Sequence, residues 1–463
     1  AKYNTKGQEE HSFAMIRGFL KFMSLLGLVF AIIMYVLSPV FANLSGGGKD
    51  LIPVMQSLSW AVLIFPSMSV IRGFQGHNNL KPYAISQIAE QVIRVIWMLL
   101  TAYFIMKVGS GDYVEAVTQS TFAAFIGMGA SLLVLVYYLW KTGLLQHIIH
   151  RPESDSQIDT KALLWDTIRE AIPFIVTGSA IQLFQIIDQM TYSNVMSWFT
   201  NFTRSELLVQ FSYFSANPNK ITMILIAVAT SIGGVGIPLL TENYVKGDFR
   251  AAGKLVQDNL TMLVAFLLPA TIGAVAIAEP LYTVFYGKPD SLALGLFILA
   301  MLQTIILGLY TVLSPMIQAL FQNRKAILYF GYGVLVKLIL QVPFIYFFKA
   351  YGPLLSTTIG LMIPIVLMYK EIHQVTHFNR KTVFKRSLLT AILTLIMLLV
   401  VLVAGFILGL VIKPNGRVTS MIYVALIGGV GIVVYGGLGL RLRFLDRFIG
   451  SKAASLRNKF HIS

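Results

Sequence analysis

The chain has 463 residues, of which 56% are hydrophobic and 12% charged, with a formal net charge of +16 and no cysteine. Those proportions exclude an ordinary soluble multidomain protein, because the apolar runs outgrow anything a polar surface can cover. They also exclude a disulfide framework or thiolate metal centre, and basic residues set in loops between apolar runs suit anionic membrane lipids rather than nucleic acid.

The first residues, AKYNTKGQEEHSF, are polar, lack an initiator Met and have no signal-peptide layout, which reads as a chain missing its start. Twelve runs then reach the length that crosses a bilayer: 19–41, 51–71, 83–106, 116–140, 162–196, 221–240, 255–286, 292–321, 326–348, 354–369, 388–412 and 421–440. The expected class is therefore an all-α integral membrane protein. Of the 36 Lys and Arg residues, 25 fall in loops or at span ends on one side, 8 on the other, and Arg94, Arg169 and Lys337 lie well inside spans. The basic side is the cytoplasmic one, so both ends of this chain are placed in the cytoplasm.

The second and third runs meet in a hairpin, FPSMSVIRGFQGHNNLKPYAISQIAEQVIRV, with its turn near Gly76–Asn79. Glu90 and Arg94 stand four apart on the far arm and share a helix face. The fourth run is followed by His147 and His150, read as interfacial histidines because no third ligand is near in sequence. The fifth run carries Asp166, Arg169, Glu170, Gln182, Gln185, Asp188 and Gln189. So many polar groups in hydrocarbon must face one another or a wet cavity. The stretch 197–220, with WFTNF and LLVQFSYF, reads as an amphipathic cap, and Gly233, Gly234 and Gly236 in the sixth run as helix-packing positions. Glu279 precedes Pro280 near the end of the seventh run, where helix-end capping and a gate are both open readings. Lys337 lies deep in the ninth run, and the last two runs carry no charge. The tail intersperses Phe444, Phe448, Leu456 and Phe460 among basic residues, the pattern of an amphipathic helix lying on a membrane.

The hairpin has a weaker copy. At an offset of 247, Phe74-Gln75 falls on Phe321-Gln322, and at an offset of 241, Ser38-Pro39 falls on Glu279-Pro280. Internal repeats of this kind are a common plan for transporters.

The hairpin segment, with AIPFIVTGSA (171–180), IIDQM (186–190), VGIPLLTENYVKGD (235–248) and LPATIGAVAIAEPLYTVFYG (268–287), resembles the SpoVB-like polysaccharide-flippase family, which includes the MurJ-type lipid II flippases of Gram-positive bacteria. The resemblance implies a MOP-exporter fold, two six-helix lobes around a central cavity with two further helices. It implies about 14 spans, so that this chain lacks the first two. The lobes are then expected at 1–145, with four spans, and 146–376, with six; two extra helices occupy 377–441 and the basic tail 442–463.

The resemblance further implies a flippase that moves a polyprenyl-pyrophosphate-linked saccharide, lipid II, across the cytoplasmic membrane by alternating access, breaking no bond and using no cofactor. Cell-wall synthesis proteins are implied as possible partners. Coupling to Na+, H+ or the membrane potential is left open. On that reading Arg94, with Glu90 as partner or gate, contacts phosphate, unless the pair satisfies itself. Arg169 is an entry-side contact or a snorkelling residue, and Gln185 is a further substrate contact. Some relatives bind sodium with an acidic residue in the fifth run and polar groups in the ninth. Asp188 fits that pattern and Lys337 departs from it, so the Lys337 ammonium is expected to stand in for the ion. Glu279 is the candidate outer gate. A flippase for another polyprenyl-linked glycan (capsule or teichoic acid) and a cation-coupled multidrug exporter share the fold, and a scaffold for wall-synthesis enzymes is the non-transport alternative.

Overall fold

The computed structural model describes residues 9–78, 80–143, 145–146, 160–444 and 446. Among them are sixteen α-helices and no strand, as expected where hydrocarbon leaves the backbone no other hydrogen-bond partner. They form two compact units, Ala1–Ile172 and Pro173–Ser463. His147, His150 and the tail from 447 onward lie outside the described residues.

The first unit contains α1 (Glu9–Val36), the short α2 (Ser38–Leu44), α3 (Leu51–Asn78), α4 (Leu80–Tyr103) and α5 (Tyr113–Lys141). A five-residue π-helical turn, Phe104–Val108, ends α4. Asp112 then caps α5 by accepting from the Val114 N–H at 2.8 Å. Small residues set the helix spacing: a Cβ on Gly27 of α1 would stand 2.6 Å from the Leu63 carbonyl oxygen of α3.

The bent pair α6 (Thr160–Gly178) and α7 (Ala180–Met196) leads into the second unit. It is followed by α8 (Arg204–Phe214), α9 (Ala216–Val245), α10 (Phe249–Ala276), the short α11 (Ala278–Tyr286), α12 (Ser291–Ala319), α13 (Asn323–Phe348), α14 (Gly352–Thr376), α15 (Arg380–Val411) and α16 (Arg417–Arg441). The 197–220 stretch forms α8, opened by a Thr203–Glu206 capping box, and its Leu207 and Phe214 are buried with Tyr192 and Met196 of α7. Two of the three glycines of α9 are packing positions: a Cβ on Gly233 would meet Val312 at 3.0 Å and one on Gly236 would meet Asn259 at 2.1 Å, whereas one on Gly234 would meet no atom within 4 Å. The last two helices pack on α10 and α11 through Ile277, Met397, Val401 and Ile427, while Phe406, Val411 and Ile432 stay exposed.

Among the described residues ten helical stretches can cross a membrane by length and composition, or eleven with the bent pair Ala171–Gly178 and Ala180–Met196. The expectation of twelve differs because Asn323–Thr376 counts there as one stretch of 54 residues. Within it the chain leaves α13 at Lys349, whose φ of 52° lies in the left-handed region, passes a 3₁₀ turn, and returns as α14. A single helix of that length would be far longer than the roughly 30 Å hydrocarbon layer.

The repeat is present, with one correction. Ser38-Pro39 and Ala278-Glu279-Pro280 both open a short helix after a long one. In the hairpins the fixed offset of 247 does not hold. Helix α3 continues to Asn78, whereas α12 ends at Ala319 and Phe321, with φ 57°, turns the chain. The second arms begin at Leu80 and Asn323, 243 positions apart. The four-residue difference is about one helical turn, so each arm keeps its face. In the corrected register Arg94 corresponds to Lys337 and Glu90 to Gly333.

Candidate functional site

Three helices of the first unit bring charge together. Glu90 of α4 is buried, and its two carboxylate oxygens accept from the Nη2 atoms of Arg94, one turn on, and of Arg72 on α3. The same Arg72 nitrogen donates to Ser131 Oγ of α5 at 2.7 Å. One carboxylate thus serves two guanidiniums and leaves a net positive charge. Both Nε atoms are buried without an acceptor among the described residues. On α5, Gly127 admits α4 closely: a Cβ there would lie 2.7 Å from the Glu90 carbonyl oxygen and 3.1 Å from the Arg94 Cβ.

Glu90 and Arg94 were legible as a pair; Arg72 was not, because the predicted second span stops at residue 71 and puts it in a loop. The helix runs on through Asn78. Arg72 and Glu90 stand at comparable depths on either side of the hairpin turn, roughly 10 and 16 Å along their helices at 1.5 Å per residue. That comparison is available from the sequence once the hairpin is recognised.

The second unit contains a different arrangement. Lys337 of α13 is fully buried, and its ammonium donates to Asp188 Oδ1 of α7 at 2.5 Å, to Thr357 Oγ1 of α14 at 2.6 Å and to Ser356 Oγ at 3.2 Å. The Pro353 carbonyl lies 3.3 Å away. Gln341 Nε2 donates to Asp188 at 2.9 Å and to Thr191 at 2.8 Å, and its oxygen accepts from Ser356 at 2.6 Å. An isolated charge at this depth is costly; here both charges and their neighbours are matched. A glycine again sets the approach: a Cβ on Gly360 of α14 would lie 3.1 Å from both the Gly333 carbonyl oxygen and the Lys337 Cβ.

Gln185 is half-buried beside Asp188 and, with Gln303 and Asn219, lines a cavity of about 50 Å³. Arg169 is exposed on α6, and Glu279 is exposed in the first turn of α11. The sequence did not reveal an apolar groove of about 560 Å³ formed by α10, α15 and α16, with Phe266, Pro269, Met397, Gly428, Ile432 and Tyr435 among its walls. Tyr435 donates to the Ala265 carbonyl at 2.7 Å and pins α16 there. Apolar residues face lipid and groove alike, so no pattern in the sequence separates them.

Long apolar helices, close glycine contacts and buried charge networks define an all-α, multi-pass membrane protein. The fold is similar to that of a lipid II flippase MurJ solved in an inward closed conformation, with a TM-score of 0.61, 18% identity, and coverage of 96% of this chain and 84% of that one. It is also similar to that of a eukaryotic MATE transporter, with a TM-score of 0.53, 12% identity, and coverage of 84% and 83%.

The chain belongs to the polysaccharide biosynthesis protein family, whose pattern it matches over residues 1–244. It is 31% identical over 467 aligned positions to the lipid II flippase MurJ of Bacillus subtilis (strain 168), covering 98% of this chain and 85% of that protein. An uncharacterized membrane protein of the same organism, YabM, is 21% identical over 272 positions, 58% of this chain and 49% of that one.

Proposed function

We propose that the chain is a flippase that carries lipid II, a polyprenyl-diphosphate-linked peptidoglycan precursor, across the cytoplasmic membrane by alternating access. The observation that carries this reading is 31% identity along 98% of the chain to a protein named for that activity. The apolar groove supports it, because such a substrate must keep a long hydrocarbon tail in an apolar environment while its head crosses. Translocation needs no bond to break, so the residues act by binding and release, and the chain is not an enzyme on this reading.

Arg169 then serves as an entry-side contact, Gln185 as a cavity contact and Glu279 as an outer-end gate. Asp188 and Lys337 form a coupling or gating pair in which the ammonium replaces an external cation. Both chain ends lie in the cytoplasm, against anionic lipid. The absence of native cysteine makes this directly measurable, since single introduced cysteines at positions 2 and 463 should react with a membrane-impermeant maleimide only after permeabilisation.

The activity is tested in proteoliposomes containing lipid II or a polyprenyl-linked teichoic-acid unit, with head-group exposure measured by an added enzyme. Lipid II should cross and the other glycan should lag. Gly428→Phe provides the structural arm. No atom lies within 4 Å of a Cβ built at Gly428, so the ring has room to enter the groove. Translocation should fall about tenfold or more with thermal stability unchanged, since a lost apolar site for several methylenes is worth this much or more. Flipping that is absent in the wild type would refute the reading.

A further inference from the structure

We propose that Arg72, Glu90 and Arg94 form an anion site that takes a phosphate or diphosphate group, an assignment that rests on the flippase reading for its biological ligand. The argument starts from the corrected repeat. Arg94 and Lys337 occupy the same register on α4 and α13, each with its Cβ 3.1 Å from the position a Cβ would take on a glycine of the next helix, Gly127 or Gly360. The two cations are equivalent in backbone setting but not in their acceptors.

Lys337 is 0% exposed and surrounded by a carboxylate oxygen, two hydroxyls and a carbonyl. An ammonium has only three N–H donors, so this site is saturated. A guanidinium has five N–H donors in a fixed plane. Arg94 uses one of its own on Glu90, and Arg72 uses two, on Glu90 and Ser131. Arg94 keeps 29% of its side chain exposed, and the Nε of each arginine is buried without an acceptor among the described residues.

Two adjacent guanidiniums with free donors match the several oxygens and the charge of a phosphate. Glu90 has a definite part in this. With no anion bound, its carboxylate holds two like charges side by side, and when an anion arrives it competes for the same nitrogens. Removing its charge should therefore strengthen anion binding, which an ion pair of purely structural role would not do.

The test uses the full chain in detergent, with inorganic pyrophosphate, geranylgeranyl diphosphate and uncharged geranylgeraniol as probes in calorimetry. The wild type should bind at least one diphosphate and not bind the alcohol at this site, with affinity falling as salt rises. Binding of both diphosphates would mean that the phosphate group is read alone; binding of the prenyl compound only would mean that the headgroup is delivered from the membrane. Arg94→Gln and Arg72→Gln should each weaken the interaction by about tenfold or more, Arg94→Lys by less, and Glu90→Gln should tighten it.

Melting temperatures of all four variants establish that they are folded. Folded Arg72→Gln and Arg94→Gln proteins that bind diphosphate like the wild type would overturn the site, as would a folded Glu90→Gln protein with unchanged or weaker binding. The proteoliposome assay separates the two claims. Lipid II flipping with no arginine effect on binding sinks the site alone; arginine-dependent binding without lipid II flipping sinks the proposed substrate alone.

Discussion

Arg94 and Lys337 stand at matching positions in two copies of one helical hairpin, yet their surroundings differ in kind. The second-unit site draws its carboxylate from a distant helix, α7, and closes around the ammonium with hydroxyls from α14. The first-unit site takes its carboxylate from one turn away on α4 and shares it with a second cation from α3. The backbone plan, including the glycine that lets the neighbouring helix approach, is retained in both. A repeated hairpin thus fixes where a cation sits, and the residues around it decide whether that cation locks helices together or stays available to a ligand.

The sharpest way to break this contrast is to remove the locked cation. Lys337→Met leaves Asp188 buried without its counter-charge, and breaking such a pair costs about 3–5 kcal/mol. Arg94→Gln should cost far less, because Glu90 retains Arg72. Asp188→Leu with Lys337→Met should recover more than half of the loss, since an apolar replacement of a whole buried pair is often near neutral. Melting in detergent measures all three, and an Arg94→Gln loss as large as that of Lys337→Met would end the distinction. Truncation to Lys337→Ala vacates a space bordered by oxygens of Asp188, Thr357, Ser356 and Pro353. Added sodium should then raise the melting temperature relative to choline in the variant and leave the wild type unaffected. A sodium response in the wild type would contradict the stand-in role of Lys337.

The glycine contacts give the next effect in size. Alanine at Gly127 would push its Cβ to 2.7 Å from the Glu90 backbone oxygen, which cannot move without shifting α4. Alanine at Gly360 meets the Phe184 ring edge at 2.9 Å, and a ring can tilt. Overpacking of this sort costs about 1–3 kcal/mol, with Gly127→Ala at the upper end and Gly360→Ala at the lower. Equal melting temperatures for Gly127→Ala and the wild type would show that the close approach of α4 and α5 does not occur.

How far the sequence revealed these sites follows from how each residue signals itself. Charges inside apolar runs are conspicuous, so Glu90, Arg94, Asp188 and Lys337 could be singled out, and the pairing of the last two follows from the cost of isolating either. Arg72 sat just beyond a predicted span end and looked like one more loop cation. Ser356, Thr357 and Gln341 gave no signal; most helical hydroxyls merely bond back to their own helix, as Thr261 and Thr271 do. The ninth and tenth runs were read as separate, and the structure has two helices there, parted by Lys349 in the tight turn between Phe348 and Gly352. The repeat was visible, but a fixed offset concealed the match of Arg94 with Lys337 until the extra turn of α3 was known.

The smallest effect discriminates most finely, because it compares one hydroxyl in each site. Thr357 Oγ1 accepts from Lys337 and lies 3.4 Å from the second carboxylate oxygen of Asp188, so Thr357→Val opens a network in which every other donor is already committed. Among the described residues Ser131 Oγ accepts only from Arg72, whose charge Glu90 already holds. Interhelical hydrogen bonds in membrane proteins contribute about 0.6 kcal/mol on average and about 1.7 at most. Thr357→Val should fall toward the larger value and Ser131→Ala toward or below the smaller. Double-mutant cycles sharpen the point: Thr357→Val should couple measurably to Lys337→Met, whereas Ser131→Ala and Arg94→Gln should be additive. The reverse order would mean that the first-unit cluster, and not the Lys337 network, is the one that locks its helices.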